Sequence, residues 1–191
     1  MKDEAVRAFA AVAVHEPPVV AALRAATTSL GDVRGVKWVR PDQLHFTLKF
    51  LGEVPADRVP AARRALGAAV SGLWAFDLFL SGLGAFPPGG PPRVVWAGCG
   101  EGREALEALA ARVDAEMAAE GFPAESRPFA AHLTLGRVKD PRAARGLRER
   151  LAARDAGAFG RVRVAEVVLF RSRLSPAGPS YEPIGSFPLA G

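Results

Sequence analysis

A four-residue pattern that occurs twice constrains the fold of this chain more than any other feature. The first copy is His45-Phe46-Thr47-Leu48 and the second is His132-Leu133-Thr134-Leu135, 87 residues further along a chain of 191 residues. The chain has only three histidines and four threonines, so this coincidence of two rare residue types is a specific signal. Any fold proposed for the chain has to explain why the pattern is duplicated.

The elements predicted around the two motifs also repeat. Each half is predicted to contain a strand, a helix, a short extended segment, the histidine-bearing strand, a helix and a strand. Shifting the first half by 87 residues places Phe9 on Trp96 and the helix predicted over 18–30 on residues 105–117. We therefore expect one domain of two pseudo-symmetric lobes. Its predicted parts are repeat units 5–84 and 92–171, a joint in the Pro/Gly-rich run 86–92, and a closing strand over 181–189.

The spacing within each motif predicts which side chains share a face. Residues i and i+2 of a strand point to the same side of a sheet. We therefore expect His45 and Thr47 on one face, with Leu44, Phe46 and Leu48 in a core on the other. The same holds for His132 and Thr134. Two symmetry-related strands would then bring two imidazoles and two hydroxyls together across a groove.

Two imidazoles and two hydroxyls are the groups that cleavage of a phosphodiester needs. A neutral imidazole takes a proton from the attacking hydroxyl, and a protonated one gives a proton to the leaving oxygen; both forms exist near neutral pH. The threonine hydroxyls can donate hydrogen bonds to the phosphate oxygens. His45 and His132 are thus the predicted catalytic residues, and Thr47 and Thr134 the predicted phosphate ligands. His15, next to Pro17, is interpreted as a structural core residue.

Composition excludes several classes of protein. The single cysteine, Cys99, excludes an internal disulfide and any site with several cysteine ligands, and carboxylates are few near the motifs. We therefore expect no metal and no cofactor.

No apolar stretch is long enough to span a bilayer, and no signal peptide is recognisable, which favours a soluble cytoplasmic protein without a membrane partner. We also expect a monomer. The net charge of +5 comes from 21 Arg and 4 Lys against 20 acidic residues and suits an anionic partner, although a GC-rich genome would also produce it.

These motifs resemble those of the 2H phosphoesterase superfamily, and most closely those of the RNA 2′,3′-cyclic phosphodiesterases, also called 2′-5′ RNA ligases. The resemblance covers nearly the whole chain. It is carried by the opening strand at 6–10, by Lys37-Trp38-Val39, by the two motif regions 44–53 and 128–137, and by the tail, with Leu169-Phe170-Arg171-Ser172, Gly178, Tyr181 and Phe187-Pro188-Leu189.

The resemblance implies a bilobal α+β fold, in which two curved antiparallel sheets face a central groove and helices lie outside. It implies hydrolysis of 2′,3′-cyclic phosphate ends of RNA to 2′-phosphates, and a reversible 2′-5′ ligation. It also implies that Arg137 binds the phosphate, that Phe9 stacks on the terminal base, that His132 is the base and that His45 protonates O3′. The pseudo-symmetry of the two motifs also permits the reverse assignment of acid and base. Because Thr134 and Arg137 would face opposite sides of a regular strand, we expect a bulge or strand end near Gly136.

Three alternatives stay open. The substrate could be a cyclic phosphate on a small nucleotide and not on RNA. The protein could bind RNA or a nucleotide without turning it over, although both motifs are intact. Ligation of RNA ends, and not hydrolysis, could be the physiological task, since one site can serve both directions.

Overall fold

The computed structural model describes residues 5–31, 33–153, 157–176 and 178–191, which form four α-helices and nine β-strands. The helices are α1 (Pro17–Ser29), α2 (Val59–Val70), α3 (Arg103–Ala119) and α4 (Leu147–Ala152). The strands are β1 (Val6–Ala13), β2 (Val36–Trp38), β3 (His45–Val54), β4 (Phe76–Phe86), β5 (Val94–Cys99), β6 (Leu133–Val138), β7 (Ala158–Val164), β8 (Glu166–Ser175) and β9 (Gly178–Pro188). Within the described residues, no helix is both long and apolar enough to cross a membrane.

The strands pair antiparallel in the order β7-β4-β5-β6-β3-β1-β8-β9, and β2 adds to the end of β6. Among the residues described, the two central strands β3 and β6 share a single pair, Phe46 with Leu133. That junction divides the sheet into two groups of four strands. We call β1, β3, β8 and β9 the His45 lobe, and β4, β5, β6 and β7 the His132 lobe. The predicted α+β class with antiparallel sheets is confirmed, and the two sheets are continuous at this one pair.

The repeat of 87 residues is visible in the positions of the strands and helices. When 87 is added to the bounds of β1, α1, β3, α2 and β4, the resulting ranges agree within a few residues with those of β5, α3, β6, α4 and β8, respectively. We propose that the chain is one domain of two pseudo-symmetric lobes related by this offset. The last strand of the first repeat is β4, which pairs with β5 of the second repeat. Its counterpart in the second repeat is β8, which pairs with β1 of the first. Each lobe is therefore completed by a strand from the other half of the sequence.

Two sequence predictions are wrong because of this exchange. The Pro/Gly-rich run 86–92 is not a joint between lobes: it connects β4 to β5, which are hydrogen-bonded neighbours within the His132 lobe. The strand predicted over 161–170 is two strands, β7 and β8, separated at Ala165, because β7 pairs with β4 and β8 pairs with β1. No glycine or proline interrupts the sequence between Arg161 and Phe170, so nothing local marks that change of partner.

The helices pack outside the sheet and bury one face each. In α3 the buried side chains include Leu106, Leu109, Val113 and Met117, as the helical period predicts, together with Ala110. Helix α3 packs on α2 and on β3, while α1 packs on β7 and α4 on β4. The core thus lies between helices and sheet, and the opposite face of the central strands is left for the groove.

The start of α3 depends on Gly102. This residue has φ of 85°, and a Cβ at this position would overlap the carbonyl oxygen of Asp77. We expect Gly102→Ala to lower the free energy of unfolding by at least about 2 kcal/mol, because left-handed strain and a backbone clash add together. Gly67→Ala is the control, since Gly67 lies within α2 with open space around it. It should be stabilising by about 0.5–1 kcal/mol. Urea denaturation measures both changes, and equal effects would contradict this account.

Candidate functional site

The junction of β3 and β6 brings the two motifs side by side. Phe46 and Leu133 pair across it and both are fully buried. Because the strands are antiparallel, His45 lies on the Thr134 side of this pair, and Thr47 lies on the His132 side. Each histidine is thereby placed next to the threonine of the other motif.

The two-faced pattern predicted for both motifs is confirmed. The four side chains His45, Thr47, His132 and Thr134 are partly exposed and line one cleft. The residues between and around them are buried in the core: Leu44, Phe46, Leu48, Ala131, Leu133 and Leu135. Among the described residues, neither threonine hydroxyl is occupied by a hydrogen bond to the protein, so both can donate to a ligand in the cleft.

Both imidazoles are held in the same way. His45 Nδ1 lies 2.7 Å from the carbonyl oxygen of Gln43, and His132 Nδ1 lies 2.7 Å from the carbonyl oxygen of Ala130. A carbonyl oxygen can only accept, so each Nδ1 carries its proton and donates it. In the neutral ring the unprotonated nitrogen is then Nε2, the atom on the far side of the ring. This nitrogen is able to accept a proton, and in the imidazolium form it is able to donate one.

The surroundings of the two rings differ. His45 contacts Phe9 and Tyr181, with ring centroids 5.0 and 5.3 Å away, while His132 and Phe86 are perpendicular to each other, with ring centroids 5.1 Å apart. Burial lowers the pKa of His45 below its ordinary value, and the charges of Arg137 and His132 lower it further, against the opposing hydrogen bond to Gln43. In the free protein, His45 therefore favours the neutral form.

A β-bulge follows the threonine of each motif. In β6, Val95 pairs with Gly136 and Trp96 with Thr134, which leaves Leu135 as the extra residue. The bulge predicted near Gly136 is confirmed, and it allows Arg137 to line the cleft together with Thr134. The same irregularity occurs in β3, where Ala10 pairs with Lys49 and Ala11 with Thr47. The bulges are 87 residues apart, like the motifs.

The cleft has a volume of about 1000 Å³ and is predominantly basic. Besides the two motifs, its lining includes the cationic side chains of Lys37, Arg40, Lys49, Arg127, Arg137 and Lys139, against the carboxylates of Asp114 and Glu125. No group of three or more potential metal ligands occurs among the described residues. The electrostatic character of the cleft is that of an anion-binding site larger than a single phosphate.

An ion pair between a buried lysine and a partly exposed aspartate supports the segment that leads to His132, and sequence reasoning missed it. Lys49, only 2% exposed, donates to Asp114 of α3 and, at 2.7 Å, to the carbonyl oxygen of Pro123. Asp114 also accepts the backbone N–H of Glu125 at 3.0 Å, and the hydrogen bond from Lys49 lowers the pKa of this carboxyl group. Residues 123–125 are thus fastened to β3 and α3. A lysine at a core position of the motif strand was the available signal.

Phe9 lies on β1 and is enclosed by other aromatic rings. Its ring is 3% exposed and is covered by His45, Phe50, Phe170 and Tyr181. Little of the ring is therefore open to a ligand, and the stacking of a base on Phe9 stays a prediction. Phe9 supports the ring of His45 from behind.

His15 is also not where the sequence predicted it. It is exposed after the end of β1 and does not line the cleft, so its interpretation as a core residue is wrong. Its backbone N–H donates to the carboxylate of Glu16. The structure therefore gives His15 no part in the cluster of His45 and His132.

Comparison with known proteins agrees with this arrangement. The profile of the 2′-5′ RNA ligase superfamily matches residues 11–175. The RNA 2′,3′-cyclic phosphodiesterase of Methanothermobacter thermautotrophicus is 38% identical across 96% of this chain and 99% of its own length. The protein of the same name from Thermus thermophilus is 39% identical across 97% of this chain and 91% of its own.

Solved structures show the same fold. Escherichia coli LigT complexed with 3′-AMP aligns with a TM-score of 0.78 and 26% identity, covering 98% of this chain and all of that one. A crystal structure from Thermus thermophilus aligns at 0.74 and 35%, covering 97% and 98%. Relatives that align from end to end, together with a profile that spans both histidine motifs, show that this chain belongs to the 2′-5′ RNA ligase superfamily.

Proposed function

We propose that this protein is an RNA 2′,3′-cyclic phosphodiesterase that hydrolyses 2′,3′-cyclic phosphate ends to 2′-phosphates. The observation that carries the proposal is that two imidazoles lie in one basic cleft and are held in the same way, each by a hydrogen bond from its Nδ1 to a backbone carbonyl. The names of the relatives support the substrate class. We further propose that the protein acts as a cytoplasmic monomer.

In the proposed reaction, His132 takes a proton from water as the water oxygen attacks phosphorus. The bond between phosphorus and O3′ breaks, and His45 gives its proton to O3′. The product carries a 2′-phosphate and a free 3′-hydroxyl, and the two histidines have exchanged protonation states. Because burial favours neutral His45, its protonation accompanies binding of the phosphate anion, whose charge raises the pKa of the ring.

Thr47, Thr134 and Arg137 are the proposed phosphate ligands. The hydroxyls donate to the two non-bridging oxygens, and the guanidinium neutralises the charge that grows on them during attack. All proton transfers are assigned to imidazoles, so the proposed route has no step that calls for a metal ion or a cofactor. With a 5′-hydroxyl of RNA as the nucleophile and not water, the same groups would join two ends through a 2′-5′ linkage.

Size and charge favour RNA ends over small nucleotides as the substrate. A cyclic phosphate occupies only the part of the cleft beside the motifs. Arg127 and Lys139, and Arg40 in its ion pair with Asp42, extend the basic lining beyond that part. Cations beyond the reacting group are suited to the phosphates of the preceding nucleotides. Faster turnover of an oligonucleotide than of a mononucleotide 2′,3′-cyclic phosphate would support this choice, and the reverse ratio would favour a small nucleotide.

Removing either imidazole should abolish most of the activity. We expect His45→Ala and His132→Ala each to lower kcat by at least ~10²-fold on an oligonucleotide with a 2′,3′-cyclic phosphate end. His15→Ala is the matched control and should retain full activity, because His15 lies outside the cleft. Thermal unfolding should be nearly unchanged in all three variants, and EDTA should not affect the wild type. Full activity in His45→Ala, or a 3′-phosphate product from the wild type, would contradict the proposal.

The pH dependence should separate the roles of the two histidines. We expect a bell-shaped dependence of kcat/KM on pH. Its acidic limb, where both rings become protonated, should lie below pH 6.5, because the pKa of His45 is lowered from its ordinary value of 6.5. In His45→Ala the residual activity needs only neutral His132 and should rise with pH to a plateau. Residual activity that falls with rising pH would assign the base role to His45.

The threonine hydroxyls should contribute through hydrogen bonding and not through packing. Thr47→Val and Thr134→Val keep the shape of the side chain but remove the donor, and each should lower kcat by about 10²-fold. Thr47→Ser and Thr134→Ser keep the hydroxyl and should restore most of the rate. Serine variants as slow as the valine variants would show that the methyl groups matter and not the hydroxyls.

A further inference from the structure

The carbonyl groups that hold the two imidazoles lie at equivalent positions of the duplicated fold, yet their segments are anchored in unlike ways. Gln43 and Ala130 are 87 residues apart, and each carbonyl oxygen lies 2.7 Å from the Nδ1 of the histidine two positions later. Gln43 anchors its own segment, because its side-chain Nε2 donates at 2.7 Å to the carbonyl oxygen of Pro179 in β9. Ala130 has no polar side chain with which to do the same. The carbonyl that holds His132 therefore needs an anchor from elsewhere in the fold.

The segment that carries Ala130 has no regular secondary structure of its own. Residues 123–132 lie outside the helices and strands, and Phe129 is partly buried against the core. Among the described residues, the hydrogen bonds that reach this segment before Ala130 from other elements come from two side chains, Lys49 of β3 and Asp114 of α3. Apolar packing fixes how deeply a segment lies, whereas hydrogen bonds also fix its register and direction. The register of this segment therefore depends on Lys49 and Asp114.

One ion pair binds both ends of the stretch 123–125. The Lys49 ammonium donates to Asp114 and, at 2.7 Å, to the carbonyl oxygen of Pro123, while Asp114 accepts the N–H of Glu125 at 3.0 Å. The Lys49 side chain is only 1% exposed. Because burying a charge costs free energy, such a pair adds little net stability over apolar side chains of the same volume. What it adds is a set of directed hydrogen bonds to two backbone groups.

The other half of the duplicated fold has no equivalent of this ion pair. The positions that correspond to Lys49 and Asp114 are Gly136 and Thr27, and the Thr27 hydroxyl donates to a carbonyl within its own helix. The ion pair is therefore not a requirement of the repeated unit. It occurs in the half where Ala130 cannot anchor the segment before the histidine.

We propose that Lys49 and Asp114 are positioning residues for His132. They fix the segment whose Ala130 carbonyl accepts the Nδ1 proton of His132, and this keeps Nε2 free to accept a proton. The inference rests on the proposed function, in which His132 takes the proton of the attacking water. Lys49 also lines the cleft, but its side chain is buried and its ammonium is directed to Asp114, so it acts through His132 and not on the phosphate.

The kinetic test replaces the ion pair by apolar side chains. In the double variant Lys49→Met/Asp114→Leu no charge is left unpaired, so the midpoint of thermal unfolding should stay close to that of the wild type. We expect kcat on an oligonucleotide 2′,3′-cyclic phosphate to fall by about 10- to 100-fold with little change in KM, because a displaced base slows the chemical step.

Two further variants serve as the rescue and the control. Asp114→Asn keeps an oxygen that accepts from Lys49 and from the N–H of Glu125, and should retain most of the rate. Arg64→Met removes an exposed ion pair with Glu120 at the end of α3, away from the cleft, and should retain full activity. The loss is then specific to the pair that holds the segment.

Nitrogen NMR of the imidazoles gives a readout that needs no substrate. The chain has three histidines, so the spectrum can be assigned with His45→Ala and His132→Ala. At alkaline pH, wild-type His132 should carry its proton on Nδ1, and in the double variant a share of the proton should move to Nε2. His45 should be unchanged, because the segment that holds it is anchored by Gln43.

The other outcomes overturn the proposal. A higher KM at unchanged kcat would make Lys49 a phosphate ligand, and unchanged kinetics or a tautomer change in both rings would show a structural role alone. If the double variant does not fold, Asp114→Ala replaces it, because this side chain is 28% exposed and the bond from Lys49 to Pro123 remains; a change at His132 alone is again expected. If the wild type hydrolyses no cyclic phosphate, the proposed function fails, whereas the NMR comparison still decides whether the pair positions His132.

Discussion

The geometry of the site depends on one residue pair at the centre of the sheet. In the part of the chain that the structure describes, Phe46 and Leu133 form the one residue pair between the central strands of the two lobes, and both side chains are buried in the core. Their neighbours in sequence necessarily point the other way, into the cleft. Burial of two apolar side chains thus presents two imidazoles and two hydroxyls on the opposite face, without any polar contact between the motifs being needed to hold them there.

The sequence was sufficient for the parts of the site that follow from local periodicity. Alternation of apolar and polar residues correctly assigned His45, Thr47, His132 and Thr134 to one face. The family resemblance placed Arg137 in the same site as Thr134, and the spacing of the two residues then correctly required a bulge. The duplication indicated that the two copies would come together. These inferences succeeded because strand geometry fixes the direction of each side chain relative to its neighbours, wherever the strand lies in the fold.

Features that depend on distant partners were beyond the sequence. Burial of Lys49 is possible only because Asp114, 65 residues away, and the carbonyl of Pro123 meet it. Phe9 and Phe50 are both phenylalanines on paired strands, and only packing shows that one is enclosed and the other open. In each case the identity of the residue is compatible with either environment, and neighbours from other elements settle which one it has.

The exchange of β4 and β8 between the halves has a consequence for how the protein folds. A half that folded by itself would leave its last strand without the neighbour it needs and its first strand with an unpaired edge. Neither repeat is therefore an independent folding unit, even though each contains a full set of elements. The two halves gain stability only together, so the active cleft between them is assembled in the same cooperative transition that forms the core.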